Sequence, residues 1–448
     1  MKHTHTYIGS IIAAAMILFI SAACSQDDWT AELQPDSGSI RGNYGDRTPN
    51  KETRKVMLLY SAGFNSLTSY LQEDIEDLKK GWIPTAGRTD DVLLIYSHFP
   101  ETRGKYDIGT SPTLVRLHKR DTTVISDTLV TYPKGTISSS AEQLNKVLTY
   151  IKEHFQARSY GMVFSSHATG YLPSGYYTKP KEYFFEDMDM RARMKRKPKA
   201  IPYEAPEYDP SLPMTKSIGQ DQVGSQGSYM SYEIELQDFA KAIPMELDYI
   251  LFDACLMGGI EVAYELRHNV RTIGYSQTEV LAEGYNYKEL TTHLLKNEDP
   301  DPVSVCEDFF TQYDIQSGVY RSATISTIDC SRLEPLAEVC QELFKKYGST
   351  IRTMSSSGVQ QFFRSSYHWF YDLESILTEA GATEDELDRL HEALDQCVVY
   401  KAHTPEFMNA FLIHTFCGFS MYLPSRGSAE LDKYYKLLQW NIATGLVQ

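Results

Sequence analysis

The feature that most constrains the fold is a short apolar run that ends abruptly in chemically reactive residues. The run 249–252 is followed at once by Asp253, Ala254 and Cys255. An uninterrupted apolar run of this length is typical of a strand buried on both faces of a parallel sheet. The run 162–164 is likewise followed by a polar turn that contains His167. We therefore expect two buried strands, each delivering one reactive side chain at its carboxyl end.

Cys255 and His167 are candidate catalytic residues. Open α/β sheets place their sites at the carboxyl edge of parallel strands, so neighbouring strands would bring the two side chains together. An adjacent imidazole can activate a thiol and later protonate a leaving amine. Each residue also has a structural interpretation, since a free Cys often behaves as a small buried hydrophobe and a lone His is often a satisfied structural residue. Their matched positions favour the catalytic interpretation.

Strand-like runs alternate with helical patterns along the chain. The strand-like runs are 56–60, 92–96, 162–164, 249–252, 272–275, 323–328 and 419–423. A helix is predicted after Ser139, because Ser139 and Glu142 match a capping box and the apolar residues that follow recur on one face. Segments 114–117 and 122–132 predict a hairpin, which we interpret as an accessory ribbon. The whole pattern predicts an α/β fold.

From about Lys55 to Pro424 the chain resembles the clostripain family of cysteine endopeptidases. Five segments carry the resemblance in chain order: 56–67, 166–170, 253–257, 274–287 and 418–424. They resemble the first strand and turn, the His turn, the nucleophile turn, the segment after the nucleophile helix, and the closing strand. The resemblance implies a caspase-like α/β sandwich with a mostly parallel central sheet flanked by helices. The length of the chain allows a helical C-terminal extension after this sandwich, with one enlarged domain as the alternative.

The resemblance also implies roles for individual residues. Cys255 attacks the scissile carbonyl and His167 transfers protons, while the backbone N–H groups of Ala168 and Cys255 bind the oxyanion. Ala168 stands where the family usually has Gly, and an Ala is strained there if the backbone requires a positive φ.

We expect no metal and no required cofactor, because neither zinc-like Cys/His spacing nor an Asp-rich calcium loop is visible. Calcium dependence without a visible site is the alternative.

Specificity for basic side chains is implied by two acidic residues. Family members often cleave after Arg or Lys and use acidic residues at the base of the substrate pocket. Asp253, two residues before Cys255, matches such a position, and Glu283 is a second candidate. A carboxylate there would pair bidentately with a guanidinium group. The alternatives are that Asp253 caps a helix starting at Leu256 and that Glu283 is a solvated loop charge.

An exposed processing loop is predicted at about 171–228, between the two catalytic turns. Its first part, 171–213, is rich in proline and lacks periodicity. Its basic residues are Arg191, Arg193, Lys195, Arg196, Lys197 and Lys199. Such a stretch also suits nucleic acid, but the formal net charge of -16 argues against that partner.

The resemblance gives the basic stretch a different use, since family members are commonly matured by internal cleavage in this region. We expect self-cleavage within 191–199. The light chain would carry His167, the heavy chain would carry Cys255, and the two would stay associated as a monomeric two-chain form. An uncut, solvated loop is the alternative.

The N-terminus predicts export. Residues 7–23 are almost wholly apolar or small and follow Lys2, which is typical of a secretory signal and too short for a stable spanning helix. Cys24 follows small residues as in a bacterial lipobox. We therefore expect a lipoprotein signal peptide at 1–23, then an acylated Cys and polar tether at 24–53. The acidic residues after Cys24 resemble the surface-export signals of some Gram-negative lipoproteins, which implies an outer-membrane or cell-surface location, with a periplasmic or secreted protein as the alternative.

Beyond the tether, residues 54–330 are expected to form the catalytic core. Residues 331–448 would form a helical region with a closing strand near 419–424. Five further cysteines lie in apolar settings: Cys306, Cys330, Cys340, Cys397 and Cys417. Buried free thiols are expected, with one or two disulfides as the alternative in an oxidising compartment.

The sequence as a whole predicts a lipid-anchored cysteine endopeptidase that acts on protein or peptide substrates after Arg or Lys. The alternative is a catalytically inactive caspase-like lipoprotein that binds partners at the cell surface. The presence of both Cys255 and His167 favours the peptidase.

Overall fold

The structure is a computed structural model that describes residues 54–103, 106–108, 110–176, 201–202, 221–225, 228–365 and 368–448. The expected signal peptide, Cys24 and the tether lie outside the described residues. So do the basic residues 191–199, where we expect processing.

The described strands and helices alternate along much of the chain. The strands are β1 (Lys55–Ala62), β2 (Val92–His98), β3 (Glu101–Arg103), β4 (Tyr106–Ile108), β5 (Thr113–Arg120), β6 (Thr123–Thr131), β7 (Ser159–Ser165), β8 (Ile201–Pro202), β9 (Asp221–Ser225), β10 (Ser228–Tyr232), β11 (Leu247–Asp253), β12 (Val270–Tyr275), β13 (Thr324–Asp329), β14 (Tyr371–Asp372), β15 (Val398–His403), β16 (Glu406–Phe407), β17 (Phe411–Leu412) and β18 (Ser420–Met421).

The helices are α1 (Thr68–Lys80), α2 (Ala141–His154), α3 (Leu236–Lys241), α4 (Ile260–Leu266), α5 (Tyr287–Thr291), α6 (Pro302–Asp314), α7 (Leu333–Ile351), α8 (Leu373–Glu379), α9 (Glu384–Cys397), α10 (Ala429–Tyr435) and α11 (Gln439–Thr444). Short 3-10 turns occur at Gly318–Tyr320, Cys330–Arg332 and Pro424–Arg426, and a π-helical turn at Thr292–Lys296.

A mostly parallel sheet lies at the centre of the molecule. Among the described residues it has nine strands, in the order β15-β13-β12-β11-β7-β1-β2-β5-β6. The five strands from β12 to β2 are parallel to one another, and antiparallel strands extend both edges. The predicted ribbon of β5 and β6 is therefore one edge of the main sheet. The other edge, β15, comes from the C-terminal region.

Helices cover both faces of this sheet. One group, with α1, α5 and α6, packs on one face, and a second group, with α2, α3, α4 and α7, packs on the other. The central strands β1 and β7 are buried along almost their whole length, as their apolar runs predict. The helices present one apolar stripe each, so the molecule is an α/β sandwich with its core on either side of the sheet.

Two local predictions need correction. Helix α2 begins one residue later than its capping pattern suggests, because Ser140, not Ser139, accepts the N–H of Gln143. The closing strand is also shorter than predicted: only Ser420 and Met421 form a strand in this segment, and they pair with β14 instead of the central sheet. The reason is that Ser420 donates its N–H to Gly258, which fastens this segment to the nucleophile turn (2.8 Å).

Within the described part of the chain, none of the helices is long and apolar enough to cross a membrane.

Candidate active site

The sheet brings the two reactive turns to the same edge. Strands β7 and β11 are hydrogen-bonded parallel neighbours, and their last paired residues are Ser165 and Asp253. His167 and Cys255 each follow two residues later. They therefore leave the sheet at matched positions on adjacent strands, as the sequence predicts.

The imidazole of His167 is oriented by the turn that follows β1. Its Nε2 lies 3.1 Å from Oγ of Ser66, and the ring is 7% exposed. Ser166 donates its hydroxyl to the carbonyl of Ala62 at the end of β1, which ties the two turns together. Sequence reasoning missed the role of Ser66. The available signal was that Ser66 follows the first strand just as His167 follows β7.

The thiol of Cys255 is buried against the backbone of one residue, Val280, in a later segment. Val280 donates its N–H to Sγ at 3.0 Å, and its carbonyl oxygen lies 3.6 Å from Sγ. The side chain of Cys255 has no exposed surface. We call this conformation closed, because Val280 contacts Sγ and the side chain is fully buried. Sequence reasoning did not find Val280.

Residues 276–282, which we call the occluding segment, are fastened to the nucleophile turn by backbone hydrogen bonds. Leu256 donates its N–H to Thr278 (2.9 Å), and Gly258 donates to Ser276 (2.7 Å). Leu256 has a φ of 61°, which is uncommon for a residue with a branched side chain and typical of strained functional turns. The nucleophile turn and the occluding segment therefore form one hydrogen-bonded unit.

An ion pair holds the occluding segment from the other side. Arg364 donates Nε and one terminal nitrogen to the two carboxylate oxygens of Glu279, at 2.7 and 3.0 Å. The side chain of Glu279 is 1% exposed, whereas that of Arg364 is 29% exposed. Sequence reasoning missed this pair because its members are far apart in the chain and match no motif.

The backbone conformation of the His turn shows whether an Ala at position 168 is strained. Ala168 is not among the residues with positive φ, so replacing the family's usual Gly there introduces no such strain. The glycine that the turn requires is Gly170, with a φ of 63°. A Cβ at Gly170 would lie 2.5 Å from the carbonyl oxygen of Leu256.

Asp253 lies fully buried beneath the two turns. Its Oδ2 accepts hydrogen bonds from the hydroxyls of Ser165 and Tyr287. Burial, and next the nearby Asp253, raise the pKa of Tyr287 well above its ordinary value. The helix-cap alternative for Asp253 is wrong, since the next helix begins only at Ile260.

Two other acids lie on this side of the sheet. Glu283 is exposed, and Asp74 is buried on α1 among its apolar positions. Burial, followed by the charges of Asp253 and Glu283 and more weakly that of Asp74, raises the pKa of Tyr313 well above its ordinary value. Sequence reasoning missed Asp74. An Asp on the apolar stripe of a helix was the available signal.

The start of the predicted processing loop is not exposed. Residues 171–176 are all buried, and Gly170, which precedes them, is half-buried. Tyr171 donates its hydroxyl to the carbonyl of Trp369 (2.7 Å), and Gly175 donates its N–H to Glu233 (2.7 Å). The two ends of the loop are thus held together beside the His turn.

The remaining cysteines are structural. In the described part of the chain all six cysteines are buried free thiols. Burial raises the pKa of Cys306 and of Cys397 to about 12, so both thiols are protonated at neutral pH. The described residues contain no group of three or more His, Cys, Asp or Glu side chains placed to hold a metal ion.

Comparison with known proteins places this architecture in a family. The model of the clostripain family, peptidase family C11, matches residues 59–197 and 204–443. A comparison with curated protein sequences finds no match.

Solved structures share the fold over nearly their whole length. An inactive zymogen C11 protease from Parabacteroides distasonis is 25% identical, with a TM-score of 0.67 over 89% of this chain and 99% of that one. A secreted C11 cysteine protease from Bacteroides thetaiotaomicron, iotapain, is 24% identical, with a TM-score of 0.67 over 88% of this chain and 99% of that one.

A secreted C11 cysteine protease from Bacteroides thetaiotaomicron in complex with an irreversible peptide inhibitor is 23% identical, with a TM-score of 0.63 over the same shares. The fold is therefore the caspase-like sandwich that the resemblance implied. With the family model matching most of the chain, this protein belongs to the clostripain family of cysteine peptidases.

Proposed function

We propose that the protein is an endopeptidase in which Cys255 is the nucleophile and His167 the general acid and base, and that it cleaves after Arg or Lys. The observation that carries the proposal is the register of β7 and β11. It delivers a thiol and an imidazole at matched positions from adjacent parallel strands.

The proposed reaction proceeds in two stages. His167 accepts the thiol proton as Cys255 attacks the scissile carbonyl, and the N–H groups of Ala168 and Cys255 bind the oxyanion that forms. His167 then donates the proton to the leaving amine, which departs and leaves a thioester on Cys255. Water, deprotonated by His167, hydrolyses the thioester and regenerates the thiol.

A basic side chain before the scissile bond is favoured by the acids on one face of the sheet. Asp253 supplies a buried carboxylate two residues before Cys255, and Asp74 and Glu283 add negative charge around it. A guanidinium or ammonium group entering there would gain charge-assisted hydrogen bonds in a region of low dielectric. To reach Asp253, it must displace or join the hydroxyl of Tyr287.

The closed conformation supports an inactive precursor. The backbone of Val280 covers Cys255, and the protein of known structure from Parabacteroides distasonis is itself described as an inactive zymogen. We propose that cleavage within 191–199 releases the occluding segment. We further propose that export is followed by acylation of Cys24, which anchors the protein at the cell surface. A likeness in fold to secreted proteases is compatible with export.

The test compares turnover of short fluorogenic peptides ending in Arg, Lys, Asp or Leu, using residues 25–448 before and after limited trypsin cleavage. The proposal expects release after Arg and Lys only, lowered at least about a thousandfold in Cys255→Ala. Asp253→Asn keeps an acceptor for Tyr287 but removes the charge. It should lower turnover after Arg and Lys by about a hundredfold.

Two outcomes would contradict the proposal in different ways. If the protein releases the fluorophore from peptides ending in Asp or Leu, Cys255 remains the proposed nucleophile, but Asp253 and Glu283 are excluded as specificity residues. If trypsin-cut protein releases no fluorophore from any peptide, the non-catalytic surface-binding alternative takes its place.

A further inference from the structure

A cavity lies beside His167, and its apolar lining takes no part in the reaction steps proposed above. Its volume is about 60 Å³, and it is partly open. The His turn forms one wall, and the other walls are mainly apolar: Phe164, Phe252, Ile234, Phe239 and Met257.

Three aromatic rings make the floor of this cavity rigid. The ring of Phe239 on α3 lies edge-on to that of Phe164 at 5.2 Å, and 5.8 Å from that of Phe252. The rings of Phe164 and Phe252 are 6.1 Å apart, and these two residues are paired in register on β7 and β11. The floor of the cavity is therefore formed by the central strands and α3.

The cavity and the acidic region lie on opposite faces of the sheet. Side chains alternate along a strand, so Phe252 and Asp253 point to opposite faces, as do Phe164 and Ser165. The contacts agree, since Asp253 and Ser165 meet Tyr287 on α5 whereas the two phenylalanines meet α3. The two turns lie between these faces, at the edge of the sheet.

Proton transfer assigns a direction to the bound substrate. His167 must reach the nitrogen of the departing amine, so the chain that follows the scissile bond leaves the site on the His167 side. The proposed function places the side chain that precedes the bond on the acidic face. Successive side chains of an extended substrate point in opposite directions, so the first side chain after the bond would lie on the aromatic face, where the cavity adjoins the His turn.

We propose that this cavity is the pocket for the residue that follows the scissile bond, and that it selects small or medium apolar side chains such as Ala and Val. The inference rests on the proposed function. A cavity of 150 Å³ holds a benzene ring, so one of about 60 Å³ suits an aliphatic side chain better than an aromatic one. Glu233, which also lines it, opposes acidic side chains.

The experiment uses the activated two-chain protein and quenched peptides that differ only in the residue after a single Arg. The expected kcat/KM is at least about tenfold higher with Val than with Gly, Asp or Trp. Arg methyl ester is measured in parallel, because its leaving group is too small to fill the cavity. Its turnover must depend on Cys255, which tests the proposed function separately.

Two substitutions in the pocket should act in opposite directions. Ile234→Trp fills the mouth and should reduce the Val preference over Gly to about twofold or less. Phe239→Leu enlarges the floor and should raise kcat/KM for Phe or Leu relative to Val. The matched control is Ile442→Trp on α11, at a side chain that is 63% exposed, and it should leave all ratios unchanged.

The outcomes separate the pocket from the reaction. Equal kcat/KM for all residues after the bond, with ester and peptide turnover dependent on Cys255, overturns the pocket and leaves the proposed function standing. A Val preference that neither Ile234→Trp nor Phe239→Leu alters also overturns the pocket. Absence of Cys255-dependent turnover of any substrate overturns the proposed function and the pocket together.

Discussion

The closed state of the site depends on contacts made by two consecutive residues, Glu279 and Val280. Val280 holds the thiol of Cys255, and the neighbouring Glu279 is fixed by Arg364. Glu279 is almost fully buried, so removing Arg364 takes away a bidentate, oppositely charged partner from a carboxylate in a low-dielectric environment. Loss of Arg364 should therefore favour conformations in which the occluding segment has moved away.

The first prediction follows from this ion pair. Arg364→Met should raise the rate at which iodoacetamide alkylates Cys255 in the uncleaved protein by about tenfold, measured by peptide mass spectrometry over time. Arg389→Met is the matched control, because it removes an exposed ion pair with Glu342 on α9 and α7. Equal alkylation rates in both variants and the parent would show that the pair does not hold the segment.

The second prediction concerns Gly170. Gly170→Ala introduces a Cβ against the carbonyl of Leu256 at a positive φ, so it should lower the free energy of unfolding by about 2 kcal/mol and reduce peptide turnover. Gly87→Ala is the control, since Gly87 also has a positive φ but no atom within 4 Å of the added Cβ. Equal losses of stability and equal turnover in the two variants would contradict the role of the contact.

At the scale of elements, helix α4 carries a buried acid that joins the nucleophile turn to the C-terminal region. Oε1 of Glu261 accepts the N–H of Tyr422 (2.8 Å) and the hydroxyl of Tyr435 (2.7 Å). Burial raises the pKa of Glu261 from 4.5 to about 7. The folded protein thus keeps the proton on Glu261 in a pH range where the unfolded chain has lost it.

The third prediction is the pH dependence that results. Below about pH 4.5 both states bind the proton, and between pH 4.5 and 7 only the folded state does. The stability from Glu261 is therefore present at low pH and lost as the pH rises through about 7. The free energy of unfolding of Glu261→Gln should depend less on pH. From pH 5 to 8 the parent should therefore lose up to about 3 kcal/mol of unfolding free energy relative to the variant.

Other buried titratable groups also make stability depend on pH, and their contributions cancel when the parent is compared with the variant. Burial raises the pKa of Asp372 to about 6, which acts in the same direction. It lowers the pKa of His98 and of His368 to about 4, which acts in the opposite direction. A parent and variant with parallel stability curves between pH 5 and 8 would contradict the assignment to Glu261.

Elements differ in how well the sequence predicted them. Strands β7 and β11 were predictable because buried parallel strands need continuous apolar runs, and such runs bring their following turns to one edge. The segment at Ser420 was less predictable. Its apolar run serves a contact with the nucleophile turn instead of the central sheet, and that contact depends on tertiary packing. For the same reason the sequence did not reveal that Val280 and Arg364 belong to the site.

At the scale of the whole molecule, the predicted processing loop separates two strands that are hydrogen-bonded to each other. β7 precedes the loop and β11 follows it, and they are adjacent in the centre of the sheet. A cut in the loop therefore breaks the chain without separating the strands.

The fourth prediction is that both chains stay together after cleavage. Protein cut within 191–199 should elute from a size-exclusion column as one species and separate into two chains only in denaturant. Purified Cys255→Ala should remain uncut, whereas added trypsin should cut it into chains that still elute together. Separation of the chains without denaturant would contradict the prediction, and cleavage of isolated Cys255→Ala would exclude self-processing.

The most direct test of the central claim is to map the site labelled by a peptidyl chloromethyl ketone that ends in Lys. In the activated protein we expect a single adduct on Cys255 that is lost in His167→Ala and weakened in Asp253→Asn. The other five described cysteines, all buried, should remain unmodified. Labelling spread over these thiols, or equal labelling of Cys255 by a matched peptide ending in Asp, would contradict a nucleophile directed to basic residues.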